Sequence, residues 1–238
     1  MLETTTYFDL MEALAEPGCP VCRLVGKAVS QRIDSLNYEF VMDPGFRQQI
    51  TASWGFCNPH GEDWLDVADP LGTALLYEAI LRQIDEELDH LHRPGNGGLS
   101  GIWSSLTGQS AAPAQPPIAG FHPSRPCPLC DYRDRHERIL IGVLIDHFEE
   151  ESLGTAYSAS VGLCVPHLRQ ALSMSRSVAI ASSLREQAGA RHARLREELR
   201  EVQRKRDYRF RLEEEGSEYG APDRAVRVVA GAHGVRDR

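Results

Sequence analysis

Apolar residues between Val25 and Phe40 fall at Val25, Val29, Ile33, Leu36 and Phe40. Steps of three and four place them on one face of a helix and predict an amphipathic helix there. Ile141, Leu144 and Phe148 form the same kind of stripe more than a hundred residues later. Asp43-Pro44-Gly45 predicts the end of the first helix, and "FRQQITASW" leads on to Gly55. Beyond His60, "EDWLDVA" predicts a short helix broken at Asp69-Pro70, with a longer one through Leu76, Ile80, Ile84, Leu88 and Leu91. Beyond His167, "LRQALSM" is followed by a helical stripe through Ala181, Leu184, Ala188, Leu195, Leu199 and Val202. No alternating pattern of useful length predicts a strand. The predicted class is all-α.

The stripes belong to a repeat. "CPVC" (Cys19 to Cys22) is followed after 34 residues by Cys57 in "GFCNPHG", and "CPLC" (Cys127 to Cys130) after 33 residues by Cys164 in "GLCVPHL". The unit is C-P-x-C, a spacer, then G-apolar-C-x-P-H, and its two copies stand about 107 residues apart. All six cysteines are consumed, with His60 and His167 completing the sets. The expected architecture is two pseudo-repeated helical units, 1–93 and 127–212, each with a Cys3His metal site at helix N-termini. Residues 94–126 are rich in Pro, Gly and Ser, a linker composition. Within it, "GIWSSL" (Gly101 to Leu106) suits a short docking turn. Residues 213–238 form a polar tail with one apolar patch, "AVRVVAG", suited to packing back on the body.

Proline is at home in the first helical turn, where N–H groups lack intrahelical partners. Pro20 and Pro128 directly follow a cysteine, while Pro59 and Pro166 directly precede a histidine. Each element therefore reads as a helix start with one ligand near the N-cap and another about three positions in, where the two side chains converge. Two such starts facing each other bring four ligands to one point. The free N–H groups and the positive end of the helix dipole favour thiolate over thiol. The matched spacers make Cys19, Cys22, Cys57 and His60 one set and Cys127, Cys130, Cys164 and His167 the other. Exchange of ligands between the units is the second arrangement the spacing allows.

A Cys3His set around Zn²⁺ has four protein ligands and no open position, which makes a structural site. By analogy with small zinc domains, each contributes roughly 10 to 16 kcal/mol of apparent binding free energy. Thiolates and histidine also hold iron–sulfur clusters, so zinc (two per chain) and an iron–sulfur cluster both stand as cofactors. Disulfide pairing within a unit leaves one thiol over. A thioredoxin-type redox CPxC belongs on a βαβ framework that is absent here. Arg23 and Asp131 stand where haem attachment needs histidine.

With a net charge of -8 and pI near 5.6, the chain as a whole repels nucleic acid and anionic membranes. The longest strongly apolar run, Ile139 to Ile145, is too short to span a bilayer. The N-terminus lacks the basic and apolar regions of a signal peptide, so a cytoplasmic location is expected. One segment runs against the acidic whole: 191–211 holds nine Lys/Arg against four acids. Arg204, Lys205, Arg206 and Arg209 are its candidate contacts for nucleic acid or an acidic partner, with Tyr208 and Phe210 for stacking. Internal pairs such as Glu197 with Arg200 explain the same charges as an exposed helix, the more economical reading. In "DEELDHLH" (Asp85 to His92), Glu87 and His90 have the spacing of a carboxylate-bridged metal pair. No counterpart set exists in the second unit, so the stretch reads as a solvated acidic face. No catalytic constellation assembles, and the reading leans away from an enzyme.

"TYFDLMEALAEPGCPVCRLV", "GFCNPH", "GLCVPH" and "RDYRFR" together resemble an uncharacterised bacterial domain-of-unknown-function family. The resemblance spans most of the chain apart from the linker and the last residues. It implies a helical bacterial protein with metal-binding cysteines and no activity to carry over. The expected function is a zinc-binding scaffold or partner-binding protein, with a protein as the expected partner. An iron–sulfur electron-transfer protein and a nucleic-acid-associated zinc protein using the 191–211 helix are the alternatives.

Overall fold

The computed structural model describes residues 2–40, 43–92, 121–210 and 213–232, and it is helical throughout. The α-helices are α1 (Leu2–Ala15), α2 (Pro20–Ser35), α3 (Pro44–Ala52), α4 (Asn58–Leu65), α5 (Pro70–His92), α6 (Pro128–Asp146), α7 (Glu151–Ala159), α8 (Val165–Met174), α9 (Val178–Lys205) and α10 (Ala221–Ala230). A π-helical turn, Leu36–Phe40, extends α2, and a 3₁₀ turn, Ser217–Gly220, precedes α10. The all-α expectation holds, and the described residues contain no strand. The docking turn expected at Gly101 to Leu106 lies outside the described residues.

The chain groups into two compact units. One comprises Met1–Gln31 and Tyr132–Arg238, the other Arg32–Asp131. The boundaries fall inside α2 and in the first turn of α6.

In the first unit, α1 packs against α7. Leu10 and Leu14 of α1 and Leu153 and Tyr157 of α7 are all buried, and the Tyr7 hydroxyl lies 2.9 Å from Ser152 Oγ. The expected stripe is present, with Ile141 and Leu144 of α6 and Phe148 in the turn just beyond it all buried. Tyr157 meets Phe148 edge to face at 5.2 Å between ring centres, a favoured aromatic geometry. α8, α9 and α10 pack on one another, with Ala171, Leu184, Ala188 and Ala221 buried. The helix carrying the apolar tail patch therefore returns to the body through its start at Ala221, while Val226 and Val229 of the patch stay exposed. It is held there by ion pairs from Lys205 to Glu218 at 2.7 Å and from Arg224 to Glu198.

The second unit is built around α3 and α5. Phe46, Ile50, Trp64, Leu76 and Ile80 are among its buried apolar residues, and Trp64 Nε1 donates to Thr73 Oγ1 at 3.1 Å. The first helical run ends at Phe40, ahead of Asp43-Pro44-Gly45 as expected, but these residues do more than end it. Asp43-Pro44-Gly45 opens a helix: the Asp43 carboxylate accepts from the Phe46 N–H at 2.7 Å, and Pro44 occupies the first turn. A Pro next to a Gly reads as a break, but an acid ahead of a proline also reads as an N-cap, and the buried face of Phe46 and Ile50 decides between them. Asp43→Ala is expected to cost about 1 kcal/mol of stability. A lowered thermal midpoint of the metal-loaded protein checks this, and an unchanged midpoint would count against the cap.

Candidate metal centres

Two groups of four possible ligands form among the described residues: Cys19, Cys22, Cys164 and His167, and Cys57, His60, Cys127 and Cys130. Within each, one ligand atom from every residue lies within 4.8 Å of the others. Both Cys3His sets stand at helix N-termini, as expected, but their membership differs from the in-order grouping. Each set takes the CPxC of one repeat and the CxPH of the other. The first centre lies wholly in the first unit and the second wholly in the second unit.

Local structure explains why the ligands sit at helix starts. Cys57 and Cys164 are the N-caps of α4 and α8, with nearly identical extended backbone (φ -67, ψ 164 and φ -68, ψ 162). Their carbonyls accept the first intrahelical bonds, from Gly61 and Leu168. The carbonyls of Cys19 and Cys127 do the same for Arg23 and Asp131. All four elements thus begin alike, and the side chain three positions on turns towards the N-cap side chain.

The helices between the motifs lead away from the half-sites at their starts. α6 is 19 residues long, so it carries the chain about 28 Å from the cysteines at its start. α2, 16 residues long, does likewise. In the second unit, the segment entering Cys127 lies beside the segment entering Cys57. The Arg125 N–H and Ser124 Oγ both donate to the Ala52 carbonyl at 3.2 Å, and the Phe121 ring rests on Trp54 at 4.7 Å. Those contacts deliver the second CPxC to the first CxPH.

The glycine of G-apolar-C-x-P-H has a conformational role in both copies. Gly55 and Gly162 adopt φ of 88 and 78, the left-handed region that favours glycine. A Cβ at Gly162 would stand 2.8 Å from Arg191 Nη1. Arg191 is committed at that place. It donates to the Ser160 carbonyl at 3.1 Å and the Tyr157 carbonyl at 2.5 Å, closing the end of α7, and lies 4.8 Å over the Tyr157 ring. Gly162→Ala is expected to cost roughly 1 to 3 kcal/mol through backbone strain and to weaken the first centre selectively. Metal titration with Cys57, His60, Cys127 and Cys130 intact would show one weakened equivalent; two unchanged equivalents would contradict it.

The distances match one ion with four ligands. In the first centre His167 Nδ1 lies 3.4 Å from Cys19 Sγ, 3.4 Å from Cys22 Sγ and 3.1 Å from Cys164 Sγ, and Cys22 Sγ lies 3.6 Å from Cys164 Sγ. In the second, His60 Nδ1 lies 3.2 Å from Cys57 Sγ, 3.6 Å from Cys127 Sγ and 3.5 Å from Cys130 Sγ, and Cys57 Sγ lies 3.5 Å from Cys130 Sγ. A zinc tetrahedron with ordinary bond lengths has edges of about 3.8 Å between sulfurs and about 3.5 Å between sulfur and nitrogen.

The electrostatics show what a cation would relieve. Hydrogen bonds from Cys164 and Cys22 hold the Cys19 thiol far below its ordinary value, against the effect of burial. Its own contact with Cys164, then that with Cys19, then burial, push Cys22 far up. Burial would lower His167, but Cys164, Cys19 and Glu137 outweigh it and raise it to about 11. In the second centre, burial followed by the neighbouring thiols pushes Cys130 up to about 12. Burial would also raise Cys127, but His60 and the N–H groups at the helix start hold it down. Three sulfurs at this separation cannot all carry charge without a cation between them.

Three contributors to the first centre carry no motif. Glu137 Oε1 lies 3.5 Å from His167 Nε2, the place where a carboxylate orients a metal-binding imidazole. Arg191 holds the loop before Cys164, as described above. Ala232 brings its N–H to within 3.4 Å of Cys22 Sγ. Glu137 follows Cys130 by seven residues on α6, and no spacing rule ties it to a histidine thirty residues later.

The remaining candidates resolve differently. Among the described residues, Asp85, Glu87, Asp89 and His90 join no group of possible metal ligands, and Glu87 accepts from Gln83 at 2.9 Å. In the basic segment, Arg204 pairs with Glu201 at 2.7 Å and with Glu213, Lys205 pairs with Glu218, and Arg209 pairs with Asp207 at 2.8 Å. Arg206 is exposed. Phe210 lies under Arg204 at 4.5 Å from its ring centre and under Arg209 at 5.5 Å. Three of the four candidate contacts for nucleic acid thus have acidic partners within the chain. No helix among the described residues is long and apolar enough to cross a membrane.

An uncharacterized 23.9 kDa protein in the xynA 3' region of Caldicellulosiruptor sp. (strain Rt8B.4) is 24% identical over 226 residues, which are 93% of this chain and 99% of that protein. No solved structure matches the chain. The family of unknown function DUF6062 matches residues 1–235, so the match takes in all eight Cys and His residues of the two groups and nearly the whole chain. The chain belongs to that family of unknown function, DUF6062.

Proposed function

We propose that the protein binds two zinc ions per chain, each in a closed Cys3His site, and that these ions brace a helical scaffold whose role is to bind a protein partner. The observation that carries this reading is the pair of four-ligand groups, each with its ligand atoms within 4.8 Å. Four protein donors fill a zinc tetrahedron and leave no position for substrate, which makes the ion structural. The same closeness favours a single ion over an iron–sulfur cluster, whose several irons and sulfides hold their thiolates farther apart. Each ion joins helix starts that are remote in sequence, such as Cys22 and Cys164. It therefore braces the unit against opening, as a cross-link does.

The test is elemental analysis with an absorption spectrum on protein purified anaerobically. Two equivalents of zinc and no visible band are expected. Iron with labile sulfide and a visible band would overturn the zinc assignment and make the chain an electron carrier. The scaffold role is tested by purifying the tagged, zinc-loaded chain from its own cells after crosslinking. A stoichiometric protein partner lost on metal removal is expected, and reproducible absence of any partner would contradict that role.

A further inference from the structure

The two centres share a ligand set and differ in what encloses them. In the first, Cys164 is 2% exposed, Cys22 and His167 are 6% exposed and Cys19 is 9% exposed. In the second, only His60 is buried, at 4%, while Cys57, Cys127 and Cys130 are half-buried. The enclosure of the first centre comes from the far end of the chain. α10 packs on α8 and α9, with Ala221 fully buried at its start. At its end, Gly231 takes φ 82 and lies so near the ligands that a Cβ there would stand 3.6 Å from Cys22 Sγ and 3.7 Å from Cys164 Sγ. The next residue, Ala232, donates its N–H to Cys22 Sγ. On the second centre the N–H that reaches Cys127 from across the site belongs to Cys57, a member of the same group, and Cys57, Cys127 and Cys130 lie at partly open positions.

From this difference we infer that the second centre, Cys57, His60, Cys127 and Cys130, is an exchangeable metal site, while the C-terminal segment locks the first. The inference rests on the two-metal reading above. A closed tetrahedral ion has no vacant position, so it is transferred only when an incoming donor reaches the metal as a cysteine leaves it. Exposed sulfurs allow that approach, and a backbone lying across them blocks it. An N–H donated to a thiolate also draws charge from the sulfur and lowers its reactivity as a nucleophile. The exchanged ligand is a divalent soft cation, and the acceptor or donor is a molecule presenting thiolate or amine and carboxylate groups. The exchange is a ligand substitution: one metal–sulfur bond breaks as a bond to the incoming donor forms, with no change of oxidation state.

The experiment follows zinc release from the full-length metal-loaded protein into excess 4-(2-pyridylazo)resorcinol by absorbance. Two phases of one equivalent each are expected, separated by about tenfold or more, the ratio that ~1.4 kcal/mol of barrier gives. A brief pulse of N-ethylmaleimide on the unaltered protein, read by peptide mass spectrometry, assigns the phases. Cys57, Cys127 and Cys130 are expected to be modified before Cys19, Cys22 and Cys164. Ala232→Pro, which removes the N–H donor, is expected to speed the slow phase several-fold and leave the fast phase unchanged. Release in one phase, or first modification at Cys19, Cys22 or Cys164, would overturn the inference while leaving two zinc sites intact. A chain that purifies without metal would instead overturn the two-metal reading, and the inference with it.

Discussion

Cys19→Ser combined with Cys164→Ser is expected to leave one tightly held metal ion per chain, and Cys19→Ser combined with Cys57→Ser to leave none. The contrast follows from the partnering of the motifs. The first pair removes two ligands from one centre and spares Cys57, His60, Cys127 and Cys130. The second pair removes one ligand from each centre, so both ions fall to three donors. Partnering within each repeat would reverse the two results. Metal content after passage over a chelating resin reads the outcome, because three donors do not hold the ion against it. With roughly 10 to 16 kcal/mol of apparent binding free energy at each closed site, and ordinary domain stabilities of about 5 to 15 kcal/mol, the doubly struck unit is expected to unfold. The Cys19, Cys164 pair should therefore melt the unit containing α1 and α9, leaving the unit of α3 and α5 folded. Hydrogen exchange on α5 against α9 distinguishes the two.

Chelation of both ions is the second large effect. Without a cation, Cys22 and Cys130 are raised above their ordinary values and hold their protons, and His167 is raised to about 11 and holds its own. Metal binding must expel at least one proton from each centre. The sign is therefore fixed: affinity falls as pH falls, by at least about tenfold per pH unit at each centre. Excess chelator at pH 7 is expected to abolish cooperative thermal unfolding, and a smaller amount to suffice at pH 6. Calorimetry with and without added zinc checks this. A metal-free protein that melts cooperatively at the same temperature would contradict a structural role for the ions.

The residues of the two four-membered groups were legible in the sequence because each half-site is a local device. Cysteine and proline at a helix start, with a second ligand one turn on, need only the chain's own geometry, and Cys57 and Cys164 show nearly the same backbone angles. Helical periodicity likewise identified Val25, Val29, Ile33, Ile141 and Leu144 as core. The choice of which half-site meets which was not legible, since the four helix starts are locally alike. In the second unit the pairing is accompanied by Ser124, Arg125 and Phe121 settling beside Ala52 and Trp54, contacts that no local motif announces. Glu137, Arg191 and Ala232 were invisible for the same reason: each reaches the first centre from a distant segment and carries no spacing signal. In the basic run, Arg204, Lys205 and Arg209 meet Glu201, Glu218 and Asp207, acids whose pairing only partly follows helical spacing.

The central claim, two single-ion centres with ligands exchanged between the repeats, is tested most directly by ¹¹³Cd–¹H correlation spectroscopy on cadmium-loaded protein. Two cadmium signals are predicted. One should couple to the side chains of Cys19, Cys22, Cys164 and His167, and the other to those of Cys57, His60, Cys127 and Cys130. A single signal coupled to Cys19, Cys22, Cys57 and His60 would contradict the account.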